Sequence, residues 1–374
     1  MMAGMRAGLI VVPVNPCASA GELKHMLCDS GAKLIVAADA LIPVPDEVLP
    51  ETSIESVLVV NSNAPTRPMA GVCDTACVSF NAALNFSGEP PPTRITPDDI
   101  AVLQYTSGTT GPAKAAVLSH GNILANQRQL LSWIAPILDD PTAGHPHWVV
   151  TALPLHHIFA WAVSWLAMAR YGATNLLLPE LQETSRLVEI FRRYPVSVFA
   201  GVNHLFAALL QASGFNRADF SGLRLVASAG TPLRQSVADQ WQAVTGRCIL
   251  EGYGLAETSP LLTLNSVVQP RYSGTVGFAM PSTDIVLLGE DGCPVEPGSP
   301  GELCVRGPQV MSRYWRRPED DRETFTRDGY LRTGDIAKRH RNGSYEIVDR
   351  KQDTILVSGF TVYPSEVEAV SILL

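Results

Sequence analysis

The chain has no apolar run approaching the roughly 20 residues that span a bilayer. Its longest candidate, Ile158–Ala169, carries Ser164 and stops at Arg170, and it reads as a buried helix. Basic residues are scarce: 28 Lys and Arg stand against 36 Asp and Glu, a net charge of −8 with a pI near 5.5. No basic stripe is present, which excludes nucleic acid as a main partner. Small anionic ligands stay open, because local donors capture them. The seven cysteines are scattered, and the one close pair, Cys73 and Cys77, has neither metal nor redox spacing. Thiols in a reducing cytosol are the expectation. Only 17% of residues are charged and 46% are hydrophobic, which excludes a disordered chain and suits a well-buried enzyme. There is no internal repeat. The Gly-x-x-x-x-Gly-Lys-Ser/Thr spacing of nucleoside triphosphatases is also missing. A secretory leader is outlined by Arg6, Ala7–Val14 and Ala18-Ser19-Ala20. Pro13 interrupts it and an amphipathic segment follows, so a strand and then a helix is the better reading.

What is present begins with alternation. The patterns predict strands at Gly8–Val14, Leu34–Ala37 and Ser56–Val60, with a helix at Ala20–Ser30. Residues 61–98 read as surface connection, with Pro90-Pro91-Pro92 inside it. Strands are expected at Ile100–Leu103, Ala116–Leu118, Trp148–Ala152, Val196–Ala200 and Leu223–Ser228. Helices are expected from Asn122 and at Ser185–Tyr194, Val202–Ala212 and Leu233–Thr245. This implies an α/β fold with layered parallel sheets and covering helices. Beyond Gly274, short strands such as Asp284–Leu288 and Glu302–Val305 are split by Asp291-Gly292 and Pro297-Gly298, a small β-rich subdomain.

The run Tyr105-Thr-Ser-Gly-Thr-Thr-Gly-Pro-Ala-Lys114 has the chemistry of a polyphosphate cradle. Glycines let the backbone approach a ligand, four Ser and Thr hydroxyls and the amides donate, and Lys114 adds a point charge. By itself a solvated Ser/Gly loop stays open. Other pieces follow in a set order: Leu153-Pro-Leu-His-His-Ile-Phe-Ala160, Ala229-Gly-Thr-Pro-Leu233 and Glu251-Gly-Tyr-Gly-Leu-Ala-Glu-Thr258. Then come Gly301-Glu-Leu-Cys-Val-Arg-Gly307, Tyr330-Leu-Arg-Thr-Gly-Asp335, Asp349-Arg-Lys-Gln-Asp353 and Ser358-Gly-Phe360.

Taken together, these pieces resemble the adenylate-forming enzymes, and within them bacterial long-chain fatty-acid CoA ligases, over essentially the whole chain. The resemblance implies the N-terminal domain of that fold, incomplete, over residues 1–348, and a hinge with the start of a C-terminal lid over 349–374. It implies ATP, Mg²⁺ and CoA as cofactor and co-substrates, a fatty acid as substrate, and acyl-adenylate as intermediate. It implies a cytoplasmic protein, with peripheral contact at a membrane as an open alternative. Oligomeric state is not set.

The resemblance also implies roles. Thr106, Ser107, Gly108, Thr109, Thr110, Gly111 and Lys114 would hold the β- and γ-phosphates, with Tyr105 opening the loop. Ala115 stands where relatives usually have Gly. Glu257 would bind Mg²⁺, which takes oxygen donors. Ala256 replaces a common Thr, and Thr258 is the expected substitute hydroxyl. Tyr253 would stack on adenine, with Glu251 in the same motif, Gly252 and Gly254 admitting the base, and Ala229, Gly230 and Thr231 on its other side. Asp335 would accept both ribose hydroxyls, since an ionised carboxylate only accepts, and Arg350 would add a contact. His157 would lie near the acyl carboxylate, with His156 as the alternative. Trp161, Trp165 and Leu166 and the segment Val202–Leu210 offer apolar walls for the acyl chain. Gln352 takes the hinge position.

Relatives place about a hundred residues, a small domain's worth, ahead of Met1. They also carry an adenylation lysine late in the lid, beyond Leu374. The alternatives are therefore a non-catalytic remnant that keeps a nucleotide site or scaffold, or an enzyme that adenylates another acid.

Overall fold

The computed structural model describes residues 1–41, 48–60, 76–85, 87–89, 93–106, 112–139, 146–178, 184–353, 355–357, 360–362 and 364. The chain packs as two units: Met1–His120 with Ser312–Arg316, and Gly121–Met311 with Arg317–Leu374.

The first unit opens with α1 (Met2–Arg6) and α2 (Ala20–Ser30). Helix α2 starts where expected because Ser19 and Glu22 form a capping box, and it stops at Gly31 in the left-handed region. Its Leu23 and Leu27 pack on Val57 and Val59 of a parallel sheet. That sheet is β1 (Leu34–Ala38), β2 (Ser56–Val60) and β3 (Ala76–Ser79), followed by α3 (Phe80–Leu84). Strand β3 and α3 lie in a stretch expected to be connection; both are too short for periodicity to register. The Pro90–Pro92 run falls outside the described residues. Strand β4 (Ile100–Thr106) pairs antiparallel with β5 (Lys114–Ser119). The expected alternation of parallel strands is therefore corrected here to a hairpin around the Ser/Gly run. The expected strand Gly8–Val14 shrinks to one residue: Val11 bridges Val102, while Gly8 sits at φ 74 and Pro13 has no N–H to give. On the far side of β5, Trp315 N–H donates to the Ala115 carbonyl (2.8 Å) and Val117 N–H to that of Arg313 (3.1 Å).

The second unit is a seven-stranded sheet between helical layers. Helix α4 spans His120–Leu138, its body from Gly121 onward lying in this unit. Next come β6 (Trp148–Thr151), a π-helix (Phe159–Leu166), α5 (Ala167–Ala169), β7 (Thr174–Leu177) and α6 (Thr184–Arg193). Then follow β8 (Val198–Gly201), α7 (Asn203–Gln211), β9 (Leu225–Ser228), α8 (Gln235–Thr245), β10 (Leu250–Gly254), β11 (Leu261–Leu264) and β12 (Phe278–Ala279). The sheet order is β12-β11-β10-β9-β8-β6-β7, parallel from β10 to β7. Neighbouring residues of one strand face opposite layers. Val150, Phe199 and Val226 join α6, α7 and α8 in one core, and Val149, Val198 and Leu225 join α4 in another. This is why these strands read as unbroken apolar runs. The buried helix expected at Ile158–Ala169 is mostly π-helical. Gln127 and Asn175 side chains donate to the carbonyls of Ala162 (3.1 Å) and Ser164 (2.9 Å) within it.

The β-rich part is a four-stranded antiparallel sheet: β13 (Asp284–Leu288), β14 (Gly301–Arg306), β15 (Leu331–Arg339) and β16 (Tyr345–Arg350). Helix α9 (Pro318–Thr324) lies between β14 and β15 in sequence. A hairpin, β17 (Ile355–Val357) with β18 (Phe360–Val362), ends the described elements. The boundary expected at 349 falls inside β16, in the second unit.

Trp241 anchors the first core, fully buried, stacked with Phe199 (5.9 Å) and edge-on to Phe206 (4.9 Å). Trp241→Ala should cost about 3–5 kcal/mol, read as a lower urea midpoint by circular dichroism. Trp241→Phe keeps most of the ring area and removes an indole N–H that has no partner among the described residues, so its loss should be much smaller.

Candidate functional site

Parallel pairing gathers the candidates of the second unit. Thr151, Ala200, Ala227 and Leu250 lie in one register row across β6, β8, β9 and β10. The carboxyl ends of these strands therefore share one edge, where α/β sheets bind ligands. His156 and His157 follow β6, Ala229–Thr231 follow β9, and Tyr253 and Gly254 end β10.

Tyr253 hydroxyl donates to Asp335 Oδ2 at 2.5 Å, joining β10 to β15. Arg350, the cross-strand partner of Asp335, brings Nε within 3.7 Å of Oδ1. Thr333 Oγ1 accepts from the Asp335 N–H (3.1 Å) and steadies the backbone that carries the carboxylate. Burial pushes the Asp335 carboxyl up, while the Tyr253 hydroxyl and the Arg350 charge pull it down. Burial first, and then the neighbouring Asp335 charge, hold the Tyr253 phenol well above its ordinary value. The proton therefore stays on Tyr253, and Asp335 is the acceptor. Three residues assigned to the nucleotide are thus brought together.

Glu251, two residues back on β10, is nearly enclosed at 8% exposure. Its Oε2 has no hydrogen-bond partner among the described residues. Desolvation raises its carboxyl to about 7, against a donated Leu233 N–H that lowers it.

The need for glycine at 252 and 254 arises within the chain. A Cβ on Gly254 would fall on the carbonyl oxygen of Pro260, and one on Gly252 would crowd Thr263. Between β10 and β11 sits a single turn, Ala256–Thr258, that carries Glu257. Thr258 builds it: its hydroxyl donates to the Leu255 and Pro260 carbonyls (3.0 and 2.5 Å) and accepts from the Leu255 N–H (3.0 Å). Thr258 is fully buried. The expectation that it supplies the hydroxyl missing at Ala256 is corrected: that oxygen is committed to the turn. The Glu257 carbonyl accepts from Met311 N–H at 2.8 Å.

No group of three or more His, Cys, Asp or Glu converges among the described residues. Magnesium needs only one or two carboxylates when phosphates complete its shell. A single half-buried Glu257 fits Mg²⁺ carried by a polyphosphate, not a metal held by protein alone.

His157 Nδ1 accepts from the Phe159 N–H at 3.3 Å, which places the ring proton on Nε2. Burial lowers both histidines, and the neighbouring His157 charge lowers His156 further. Both are neutral at pH 7. Gln352 is exposed in the turn Lys351–Asp353. Just before it, Lys351 Nζ donates to Glu302 Oε2 (2.8 Å), which also accepts from Arg332 (2.7 Å). Glu302 is buried, and sequence reasoning missed this anchor.

In the first unit, Lys114 opens β5 opposite Thr106, with Nζ 5.7 Å from the Tyr314 ring centre. Tyr105 hydroxyl donates to Asp29 (2.8 Å) and the Met26 carbonyl (3.3 Å), so it ties β4 to α2. Ser107, Gly108, Thr109, Thr110 and Gly111 lie outside the described residues.

The family model of AMP-binding enzymes matches residues 1–315. The long-chain-fatty-acid–CoA ligase of Escherichia coli O157:H7 is 42% identical over 98% of this chain and 68% of that protein. The ligase of the same name from Bacillus subtilis strain 168 is 32% identical over 97% of this chain and 67% of its own length. ATP-bound MatB from Rhodopseudomonas palustris superposes with a TM-score of 0.83 at 27% identity, covering 98% of this chain and 69% of that one. The chain spans about two thirds of these proteins' length.

Glu251 predicts a pH dependence. Its native pKa, about 7, lies above the unfolded value of roughly 4.3, so the native state binds the proton more tightly. Its contribution is fully retained below the unfolded value. Stability then falls as pH rises from there through 7, by up to roughly 3–4 kcal/mol. Glu251→Gln keeps the Leu233 contact without the charge. It should raise the melting temperature at pH 8 and leave it nearly unchanged at pH 4, measured by calorimetry in matched buffers.

Proposed function

Because the chain belongs to the AMP-binding enzyme family, we propose that it activates a fatty acid with Mg·ATP and passes the acyl group to CoA. The acid's carboxylate oxygen attacks the α-phosphorus, the bond to the pyrophosphate oxygen breaks, and acyl-AMP remains. The CoA thiol then adds to the acyl carbon, loses its proton and displaces AMP. Positioning and charge neutralisation account for most of the acceleration in such a displacement.

The observation that carries this reading is the Tyr253–Asp335–Arg350 group at the carboxyl end of the parallel sheet. Asp335 suits a ribose: it is an acceptor beside a cation, reached by two strands. Tyr253 offers its ring face to adenine while its hydroxyl orients that carboxylate. Ala229, Gly230 and Thr231 follow β9, the parallel neighbour of β10, and suit the base's other side. Glu257, with phosphate oxygens, would hold Mg²⁺, whose charge would neutralise that of the phosphates. Lys114 and the Thr106–Gly111 run suit the outer phosphates. Neutral His157 suits the acyl carboxylate, and the buried Phe159, Ala160 and Trp161 beside it suit an aliphatic chain.

The choice of a fatty acid is supported by the 42% identical relative named for that activity. A cytoplasmic enzyme that meets membrane surfaces peripherally fits such a substrate. Among the described residues no helix is long and apolar enough to cross a membrane.

The test is ATP–pyrophosphate exchange across a panel of fatty, aryl and amino acids. Exchange should depend on a fatty acid and fall about 10²–10³-fold in Glu257→Gln and Lys114→Ala. Exchange supported only by an aryl or amino acid overturns the substrate class. Mg·ATP binding without exchange for any acid identifies a nucleotide-binding remnant instead.

A further inference from the structure

One stripe of α4 is polar where burial calls for apolar side chains. Asn122, Asn126 and Gln129 stand at i, i+4 and i+7, a single helix face. Asn126 and Gln129 are 0% and 5% exposed. Burying an amide costs free energy unless each donor and acceptor is met, and here they are met by particular partners. Asn126 clasps the backbone of one residue at two points: Nδ2 donates to the Leu261 carbonyl (2.8 Å), and Oδ1 accepts from the Leu261 N–H (3.1 Å). Gln129 Nε2 donates to the Pro281 carbonyl (2.6 Å) and to Gln309 Oε1 (3.0 Å). Gln309, itself fully buried, donates to Thr283 Oγ1 at 2.6 Å. Asn122 Nδ2 donates to the carbonyls of Pro308 and Val310, both at 2.9 Å.

These partners flank one object. Leu261 follows Pro260, whose carbonyl closes the Glu257 turn. Pro308, Gln309 and Val310 lead into Met311, whose N–H holds the Glu257 carbonyl. Helix α4 therefore grips the turn from both sides. The turn ends under strain that this grip offsets: Ser259, which caps it, sits at φ 68, an uncommon region for a residue with a Cβ.

We infer that Asn126 and Gln129, together with Asn122, are positioning residues that fix the Glu257 carboxylate for the metal of Mg·ATP. The inference rests on Glu257 as the Mg²⁺ ligand. Outer partners that orient a metal ligand typically carry 10–100-fold in metal affinity.

The experiment is a double-mutant cycle on residues 1–374, read by titration calorimetry with Mg·ATP and with ATP in EDTA. Asn126→Leu should weaken Mg·ATP binding about tenfold and leave metal-free ATP binding unchanged. In a Glu257→Gln background the same substitution should change Mg·ATP affinity less than about twofold, because its effect runs through that carboxylate. Equal effects in both backgrounds, or an equal loss with and without metal, overturn the brace. So does unchanged Mg·ATP binding by folded Asn126→Leu. If Glu257→Gln itself binds Mg·ATP like wild type, Glu257 is not the ligand, and the reading beneath the inference is what fails. Asn122→Ala, at the half-buried end of the stripe, runs through the same cycle should Asn126→Leu not fold.

Discussion

The parallel pairing of β6, β8, β9 and β10 is the constraint on which the second unit depends. A parallel ladder forces every strand to end at the same edge, and each return crosses a face as a helix or long loop. The motif after β6, the Ala229–Thr231 turn and the end of β10 are far apart in sequence but share that edge. The crossover helices bury both faces, so side chains within the strands are spent on packing. Polar chemistry is left to the strand ends. Strand β11 then reverses direction beside β10, and the tight reversal projects Glu257.

Three buried carboxyls of this unit are compensated in three ways. Asp335 has a phenol and a guanidinium. Glu302 has two cations, Arg332 and Lys351. Glu251 has one backbone N–H and, near neutrality, gives up its charge. A buried carboxylate that lacks donors neutralises rather than stays ionised. Perturbed groups of this kind cluster where ligands bind. Glu251 precedes Tyr253 by two residues, so both side chains lie on the same face of β10.

The α/β class and most helices were legible because buried parallel strands are continuous apolar runs and α2, α6 and α8 have clear faces. Strands β3 and β7 were not: each lies at a sheet edge and lacks the unbroken apolar run of a strand buried on both faces. The hairpin of β4 and β5 was misread because two apolar strands about a glycine-rich run look alike whether they pair directly or by crossover. In the site, Asp335 and Tyr253 were each legible from a local motif. Their contact spans 82 residues and leaves no local trace. Thr258 was read as a ligand hydroxyl because it adjoins Glu257, and nothing in the motif reveals that its oxygen closes the turn. The stripe at Asn122, Asn126 and Gln129 was not singled out in the sequence, where it is only polar residues at helical spacing. Without the partner loops it reads as a solvated face.

The Glu302–Lys351 pair has a mechanical consequence. Glu302 is fixed in β14 and shielded from water, so its two cations cannot leave cheaply. Any swing of the chain downstream that began at Arg350 would strip Lys351 from that carboxylate. A rotation about the backbone of Gln352 leaves the pair intact. The buried carboxylate thus acts as a pin: it ties the residue that follows β16 to β14, and so holds Asp335 and Arg350, just upstream, to the sheet.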